Sequence, residues 1–242
     1  MFFFKNYEQS IWQLPIKERY EKEDVMTERF LFGKDNKLEI YWAPFEYINP
    51  DANVIILGIT PGWTQMQLAF NYVRKNIGAE ERKTMLRNAK KQASFGGKGI
   101  RNNLIEMLDG IELNKRLHIQ SCAELYADKN HLLHSASALR YPVFINQKNY
   151  TGSNPPMLKH PLLSEMIYEL LVPELHEVKH AVIIPAGKAV SNMLSDLVEE
   201  GKIHNKPILF DFPHPSGANG HRKKQYAEKK EQFKQQLKEH FN

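Results

Sequence analysis

A short run of consecutive aliphatic residues, Val54 to Leu57, stops at a turn of glycine and proline in the segment ANVIILGITPG. A strand with apolar side chains on both faces is typical of a parallel sheet that helices cover on both sides. The residues after the turn have helical spacing, since Met66, Phe70 and Val73 fall on one stripe. The segment therefore predicts a buried strand, a tight turn and a covering helix.

The same order of strand, turn and helix recurs along the chain. HLLHSASALRYPVF predicts a second buried strand, HAVIIPAGKAVSNMLSDLVEEG predicts a strand, a glycine turn and a helix, and KPILFDFPHPSG predicts the last strand. The glycine turn in IIPAGKAV lacks the spacing and the Lys-Ser/Thr pair of a Walker phosphate loop. Alternating strands and helices predict an α/β fold with a mostly parallel sheet. GITPG and HPSGAN both follow predicted strands, where such sheets bind ligands, so we expect them to share one cleft.

The sequence contains no sign of a boundary between domains. Neither an internal repeat nor a low-complexity linker interrupts residues 1–242. We therefore predict a single domain with an N-terminal helical extension over about residues 1–38. The C-terminal segment QYAEKKEQFKQQLKEHF predicts a closing helix.

Composition excludes several classes of protein. Cys122 is the only cysteine, which rules out an internal disulfide and any zinc site or iron–sulfur centre held by a cluster of cysteines. A reducing cytoplasmic location is the default for such a chain. The apolar run in the opening MFFFKNYEQ is too short for a secretory signal, and no stretch approaches the roughly 20 apolar residues of a membrane span. The net charge of +5 is compatible with a nucleic-acid partner but does not require one.

The pair of motifs GITPG and HPSGAN, in this order in an α/β domain, resembles the uracil-DNA glycosylase superfamily. In that family the first motif is Gly-Gln-Asp-Pro-Tyr, Gly-Ile-Asn-Pro-Gly or Gly-Glu-Ala-Pro-Gly, and the second is His-Pro-Ser-Pro, Asn-Pro-Ser-Gly or a related form. The resemblance spans about residues 40–240. It implies a three-layer α/β/α architecture with a central, mostly parallel four-stranded sheet. No metal or organic cofactor is implied.

The resemblance assigns catalytic roles to two residues. His214 matches the histidine that stabilises negative charge on the departing base, although a structural histidine bonded to a loop carbonyl is the alternative. Thr60 stands where the family has the Asp or Asn that orients the attacking water. A threonine hydroxyl can bond a water but is no general base near neutral pH. The carboxylates nearest to the motifs in sequence, which would be substitute bases, are Asp211, Glu46 and Asp51.

The resemblance also implies positions that contact the substrate. Phe70 matches the aromatic residue that stacks on the base, with a place in the core as the alternative. His134 or Ser135 stands at about the position where the family has an asparagine that reads the pyrimidine edge. Ala218 stands where many relatives have a bulky wedge residue. The remaining substrate-binding positions are those of the first motif: Gly58, Ile59, Pro61 and Gly62.

Positive charges cluster at residues 74–91 and again at residues 222–230. Each cluster is a solvated helix face in the simplest interpretation. The second follows HPSGAN directly, so we expect it to lie beside DNA held by that loop. The predicted DNA-binding residues are Pro215, Ser216, Gly217, Asn219, Arg222 and Lys223.

The sequence as a whole favours a monofunctional, monomeric DNA glycosylase acting on double-stranded DNA with one base flipped out of the duplex. The departures at Thr60, at Ala218 and in the strand LLHSAS favour a non-standard or modified pyrimidine, such as an oxidised base or a modified cytosine of phage DNA in antiviral defence. Repair of uracil or mismatches is an alternative. Two further alternatives are a non-catalytic DNA-binding protein that kept the fold and, less favoured, a hydrolase of small nucleotides.

Overall fold

A computed structural model describes residues 3–96 and 98–241 of the chain. The chain forms two compact units, each assembled from three segments. The first unit comprises Met1–Ile48, Ile59–Ser94 and Ser137–Pro173, and the second comprises Asn49–Gly58, Phe95–Ala136 and Glu174–Asn242. Each unit is described below by itself.

The first unit contains an antiparallel sheet in the order β1-β2-β5-β6. Its central pairing places Leu38 opposite Ile145 and Ile40 opposite Val143. Its strands are β1 (Leu31–Asp35), β2 (Leu38–Tyr41), β5 (Val143–Ile145) and β6 (Lys148–Asn149). Its helices are α1 (Phe4–Trp12), α2 (Lys22–Val25), α3 (Trp63–Asn76), α4 (Arg82–Ala93) and α7 (Pro161–Met166), with a π-helical segment at Ile167–Leu171 and 3₁₀ turns at Glu28–Phe30 and Met157–Lys159.

The second unit is built on a three-stranded parallel sheet in the order β4-β3-β7. Val54 pairs with Val182 and Leu57 with Pro185, and all four residues are buried. The strands are β3 (Val54–Gly58), β4 (Leu133–Ser137) and β7 (Val182–Pro185). The helices are α5 (Lys98–Gly110), α6 (Leu113–Arg116), α8 (Val172–Glu177), α9 (Lys188–Glu199) and α10 (Arg222–His240), with 3₁₀ turns at Cys122–Tyr126 and Asn130–Leu132. The first two residues of α8 and the last residue of β4 belong to the first unit.

The predicted last strand is reduced to a single parallel bridge between Ile183 and Ile208. Two backbone bonds flank it, from the Ile183 amide to the Pro207 carbonyl and from the Leu209 amide to the Ile183 carbonyl. Pro207 has no N–H to donate, and Asp211 adopts a left-handed φ of 63° that turns the chain away. The expected mostly parallel sheet is therefore present as three strands, and its fourth position is occupied by a bridge.

The predicted N-terminal helical extension is helical only in part. After α1 and α2, residues 31–38 lie mainly in β1 and in the hairpin turn to β2, where Asn36 has a φ of 53°. The reason is local, since Leu31 to Asp35 pair with the buried strand β2. Residues 1 and 2 lie outside the described part of the chain.

The predicted second strand, at residues 131–144, divides into β4 of the parallel sheet and β5 of the antiparallel sheet. The predicted helix KHPLLSEMIYELLVPEL continues from α7 through the π-helical segment into α8. The covering helices α3 and α9 and the closing helix α10 lie where the sequence predicts them. Within residues 3–96 and 98–241, no helix is both long and apolar enough to cross a membrane.

Candidate active site

The imidazole of His214 lies in the loop that precedes α10 and is partly buried. Its Nδ1 accepts a hydrogen bond from the Ser216 amide at 3.1 Å. Burial lowers the pKa of His214 below its usual 6.5, because a charged ring loses its hydration there. A neutral ring whose Nδ1 is an acceptor carries its proton on Nε2. His214 is therefore set as a neutral hydrogen-bond donor through Nε2.

Gly187, at the turn between β7 and α9, makes room for this ring. Its φ is +103°, and a Cβ added to it would lie 3.0 Å from the Cβ of His214. Its amide donates to the Phe212 carbonyl at 2.9 Å, and the neighbouring Ala186 amide donates to Leu57 in β3 at 2.8 Å. The end of β3 and the start of the His214 loop are thus both bonded to the end of β7.

Side chains on two helices hold the carbonyls of the His214 loop. Asn103 Nδ2 in α5 donates to the Pro215 carbonyl at 2.9 Å. Arg222 Nη1 in α10 donates to the carbonyls of Pro215 and Ser216 at 3.1 and 3.0 Å. Asn219 Nδ2 lies 3.4 Å from the His214 carbonyl. Arg222 and Asn219, which the sequence assigned to DNA, contact the loop itself.

The outer part of this loop consists of small, exposed residues. Ser216 Oγ accepts the Ala218 amide at 3.2 Å and closes a local turn. Gly217, Ala218 and Lys223 are exposed, whereas Pro215 is buried. A Cβ on Gly217 would meet no atom within 4 Å. The loop therefore presents little bulk to an approaching partner.

Thr60 belongs to the first unit, and its hydroxyl is bonded to the backbone. Oγ1 donates to the Tyr141 carbonyl at 2.9 Å and accepts the Val143 amide at 3.2 Å. A hydroxyl has one proton and two lone pairs. One acceptor position is left, so Thr60 can accept a hydrogen bond from a water but has no proton to offer it.

The other residues of the first motif in this unit are also tied to the protein. The Ile59 carbonyl accepts the Leu139 amide at 2.9 Å, and Pro61 is buried. The Gly62 amide donates to Gln65 Oε1, and the Trp63 amide donates to Asn149 Oδ1 at 3.0 Å. The amides of Gly62 and Trp63, at the start of α3, are therefore occupied by side chains of the protein.

Glu46, one of the candidate bases, is a structural carboxylate of the first unit. It is 0% exposed and accepts hydrogen bonds from the amides of Phe3 and Phe4, from Trp42 Nε1 and from Tyr141 Oη. Three of these donors meet Oε1 and one meets Oε2, so the carboxylate is held by the protein. This geometry does not support a role for Glu46 in activating water.

The two other candidate carboxylates lie in the second unit, at its surface. Asp211 forms an ion pair with Lys229, and Asp51 is an exposed turn residue. Within residues 3–96 and 98–241, no three His, Cys, Asp or Glu side chains converge as a metal site would require.

Two positions expected to contact the base are internal. Phe70 is 0% exposed, and its ring contacts those of Phe30 and Trp42 in the first unit, with centroids 4.8 and 6.0 Å away. His134, in the second unit, is 1% exposed, with Nε2 2.8 Å from Glu174 Oε1 and Nδ1 accepting the Asn49 amide at 3.4 Å. Packing and hydrogen bonding thus occupy both side chains, so the structure does not support their predicted contacts. Ser135 is half-buried in β4.

Phe95 is an aromatic residue that the sequence analysis missed. Its ring atoms lie 3.6 and 3.7 Å from the Cβ position of Gly58, at the end of β3. The backbone of Phe95 has a φ of 50°, which is uncommon for a bulky residue and typical of positions fixed by surrounding structure. The signal available in the sequence is a single aromatic residue in the glycine-rich stretch SFGGKG.

Comparisons with known proteins identify a family and a bacterial relative. The family model described as the Uracil DNA glycosylase superfamily matches residues 45–241. The uncharacterized protein YoxB of Bacillus subtilis strain 168 is 41% identical over 221 residues, covering 89% of this chain and 85% of the relative. No solved structure matches the chain.

Proposed function

Because the chain belongs to the uracil DNA glycosylase superfamily, we propose that it is a monofunctional DNA glycosylase. It hydrolyses the N-glycosidic bond of a nucleotide flipped out of double-stranded DNA and leaves an abasic site. The observation that carries the proposal is the neutral His214 ring, with Nδ1 bonded to the Ser216 amide and the proton held on Nε2.

His214 would act on the leaving group. As the bond between C1′ and the base nitrogen breaks, its electron pair passes to the base and places negative charge on a carbonyl oxygen. A preorganised neutral donor at that oxygen stabilises the transition state by about 2.7–4 kcal/mol. A cationic imidazole is disfavoured at this position because burial lowers the pKa of His214.

Water completes the reaction at C1′. The sugar carbon is electron-deficient in an oxocarbenium-like transition state, so a water oxygen attacks it and releases a proton to solvent. The free acceptor position of Thr60 would orient such a water. Without general-base assistance, the reaction gives up about 10²–10⁴-fold in rate.

The substrate that we propose is a non-standard or modified pyrimidine. The support is the loss of two family features: Thr60 replaces the water-orienting Asp or Asn, and the exposed Ala218 replaces a bulky wedge. The burial of His134 further removes the expected reader of an unmodified pyrimidine edge. Ser135, which is half-buried, remains a candidate contact of the base. A modified cytosine of phage DNA would make the protein a defence enzyme.

Excision assays test the proposal. Duplexes carrying uracil, a thymine mispair, hydroxymethylcytosine or glucosylated cytosine are incubated with the protein and then cleaved at abasic sites with alkali. We expect cleavage of a modified-cytosine duplex, and a loss of about 10²–10³-fold in the His214→Ala variant. The exposed His221 provides the matched control, His221→Ala. Cleavage of the uracil or mispair duplexes alone would instead identify a repair enzyme.

A second function, binding of DNA without catalysis, is favoured by the bonding of the Thr60 hydroxyl to the Tyr141 and Val143 backbone. That bonding keeps the first motif in place whether or not chemistry occurs. Retention of DNA binding with no strand breaks on any of the four duplexes would establish this alternative. Size-exclusion chromatography tests the monomeric state that we propose for either function.

A further inference from the structure

Helix α4 of the first unit is unusual in its charge. Its twelve residues contain five cations and no acid. One side of the helix is buried through Met85, Leu86, Ala89 and Ala93. Lys83 and Arg87 are exposed, and Lys91 is partly exposed. These three residues, spaced four apart, form a single stripe along the helix, which we term the α4 cation row.

The acids nearest to the row in sequence or by contact are engaged elsewhere. Glu81 accepts the amides of Lys83 and Thr84 at the start of α4, and the hydrogen bonds from these amides, with a smaller contribution from the charge of Lys83, lower its pKa. Glu80 bonds to the Tyr72 hydroxyl and to Asn88. Among the residues that the structure describes, no acid lies within ion-pairing distance of Lys83 or Arg87.

Glu8 on α1 pairs with Arg82 of α4 at 3.0 Å. Arg82 also lies over the ring of Phe4, 5.5 Å from its centroid. These contacts place Arg82 on the side of the helix that faces α1. Glu8 therefore compensates the charge of Arg82 but not the charges of Lys83 and Arg87.

The arrangement is unfavourable for the isolated helix. Like charges four residues apart repel each other, and Arg82 and Lys83 stand at the positive end of the helix dipole. A polyanion along the row would relieve both effects. Lys83 and Arg87 are about 6 Å apart along the helix axis, and each strand of duplex DNA carries one negative charge per about 3.4 Å of the duplex axis, so the two cations face about two phosphates. The helix thus matches a segment of DNA backbone in charge and in length.

We propose that the α4 cation row is a contact surface for the phosphate backbone of double-stranded DNA. It belongs to the first unit, whereas the His214 loop belongs to the second, and it carries no base specificity. Its contribution is electrostatic, so the α4 cation row binds undamaged DNA as well as substrate DNA. The inference shares with the proposed function only the premise that the partner is DNA.

Binding of an undamaged duplex, measured by fluorescence anisotropy over a range of salt concentrations, tests the surface. The double variant Lys83→Gln/Arg87→Gln keeps residues of good helix propensity. We expect the slope of log affinity against log salt to fall by about 2, about one unit for each phosphate that the variant no longer neutralises. The matched control is Lys37→Gln/Lys148→Gln, which removes the same charge from exposed positions of the first unit and is expected to keep the wild-type slope.

The outcomes separate this inference from the proposed function. A wild-type slope in the Lys83→Gln/Arg87→Gln variant, an equal fall in the control, or no binding of duplex DNA by the wild type would each overturn the surface. A specific fall in slope together with no excision of any base supports the surface and rejects the enzyme. Preferential binding of an RNA duplex with the same fall in slope would overturn DNA as the partner.

Discussion

The protonation of His214 gives the candidate site a defined dependence on pH. Its pKa is lowered by burial, so the ring is neutral above its usual value of 6.5 and takes up a proton only at lower pH. We expect the excision rate to be level above pH 6.5 and to fall as the pH drops through the lowered pKa. A rate that rises on acidification would contradict the neutral-donor role.

The free energy of unfolding also depends on the protonation of His214 and falls as the pH is lowered. Below pH 6.5 the unfolded chain binds a proton at His214 that the folded chain does not, so the free energy of unfolding falls. The loss begins at 6.5 and is complete below the lowered folded pKa. Between pH 7 and pH 5, the melting temperature should therefore decrease less in His214→Gln than in the wild type. The variant His221→Gln, at an exposed position, should show the same decrease as the wild type.

Gly187 leaves the space that the side chain of His214 needs. The variant Gly187→Ala forces a side chain onto a φ of +103° and brings a Cβ to 3.0 Å from that of His214. We expect a loss of about 1–3 kcal/mol in the free energy of unfolding from the backbone strain, measured by denaturant titration. Gly220→Ala is the control, because its Cβ meets nothing within 4 Å and its φ is not positive. Equal stability of the two variants would contradict this account.

At the scale of elements, the His214 loop is held by α5 and α10 through Asn103 and Arg222. We expect Asn103→Ala and Arg222→Lys to lower kcat with little change in KM, because a loosened loop misplaces the ring without weakening the grip on DNA. Nη1 of the rigid, planar guanidinium donates to both carbonyls, and the flexible stem of lysine does not fix an ammonium at that point. By contrast, the exposed Lys223→Ala should raise KM and keep kcat.

A spectroscopic measurement supports the kinetic one. Nitrogen NMR of the His214 ring reports whether Nδ1 remains an acceptor, as its bond from the Ser216 amide requires. We expect a mixture of tautomers in Asn103→Ala and the wild-type tautomer in Lys223→Ala. A wild-type spectrum in Asn103→Ala with kcat reduced would reject positioning through the ring.

The elements that the sequence predicted best are those with the strongest local patterns. The buried run at Val54 to Leu57 and the amphipathic helix α3 lie where they were expected, because period and branching report directly on which faces are apolar. The last strand was predicted less well. Its apolar residues fit a strand, but Pro207 and the left-handed Asp211 limit its pairing to one bridge.

At the scale of the molecule, the family match begins at residue 45, yet the residues before it contribute to the core. Phe4, Ile11, Leu14 and Tyr20 are buried in the first unit. The carboxylate of Glu46 also binds the amides of Phe3 and Phe4. The N-terminal segment is therefore part of the packed structure of that unit.

We expect deletion of residues 1–20 to unfold the protein. Four buried side chains at about 1.5–3 kcal/mol each amount to about 6–12 kcal/mol, comparable with the whole stability of a typical domain, about 5–15 kcal/mol. Soluble yield and thermal unfolding measure the effect. A truncated protein that melts at the temperature of the full chain would show that the segment is dispensable.

The sequence by itself determined the alternation of strands and helices, the positions of the two motifs and the choice of His214 as a candidate residue. These depend on residues close together in the chain, whose periodicity and turn chemistry are visible without a structure. The tertiary structure alone decided what each candidate side chain contacts. Thr60 bonds to a carbonyl 81 residues away and Asn103 to one 112 residues away. Packing across such separations leaves no local pattern, which is why Phe95 and Asn103 were missed and why Phe70 and His134 proved to be internal.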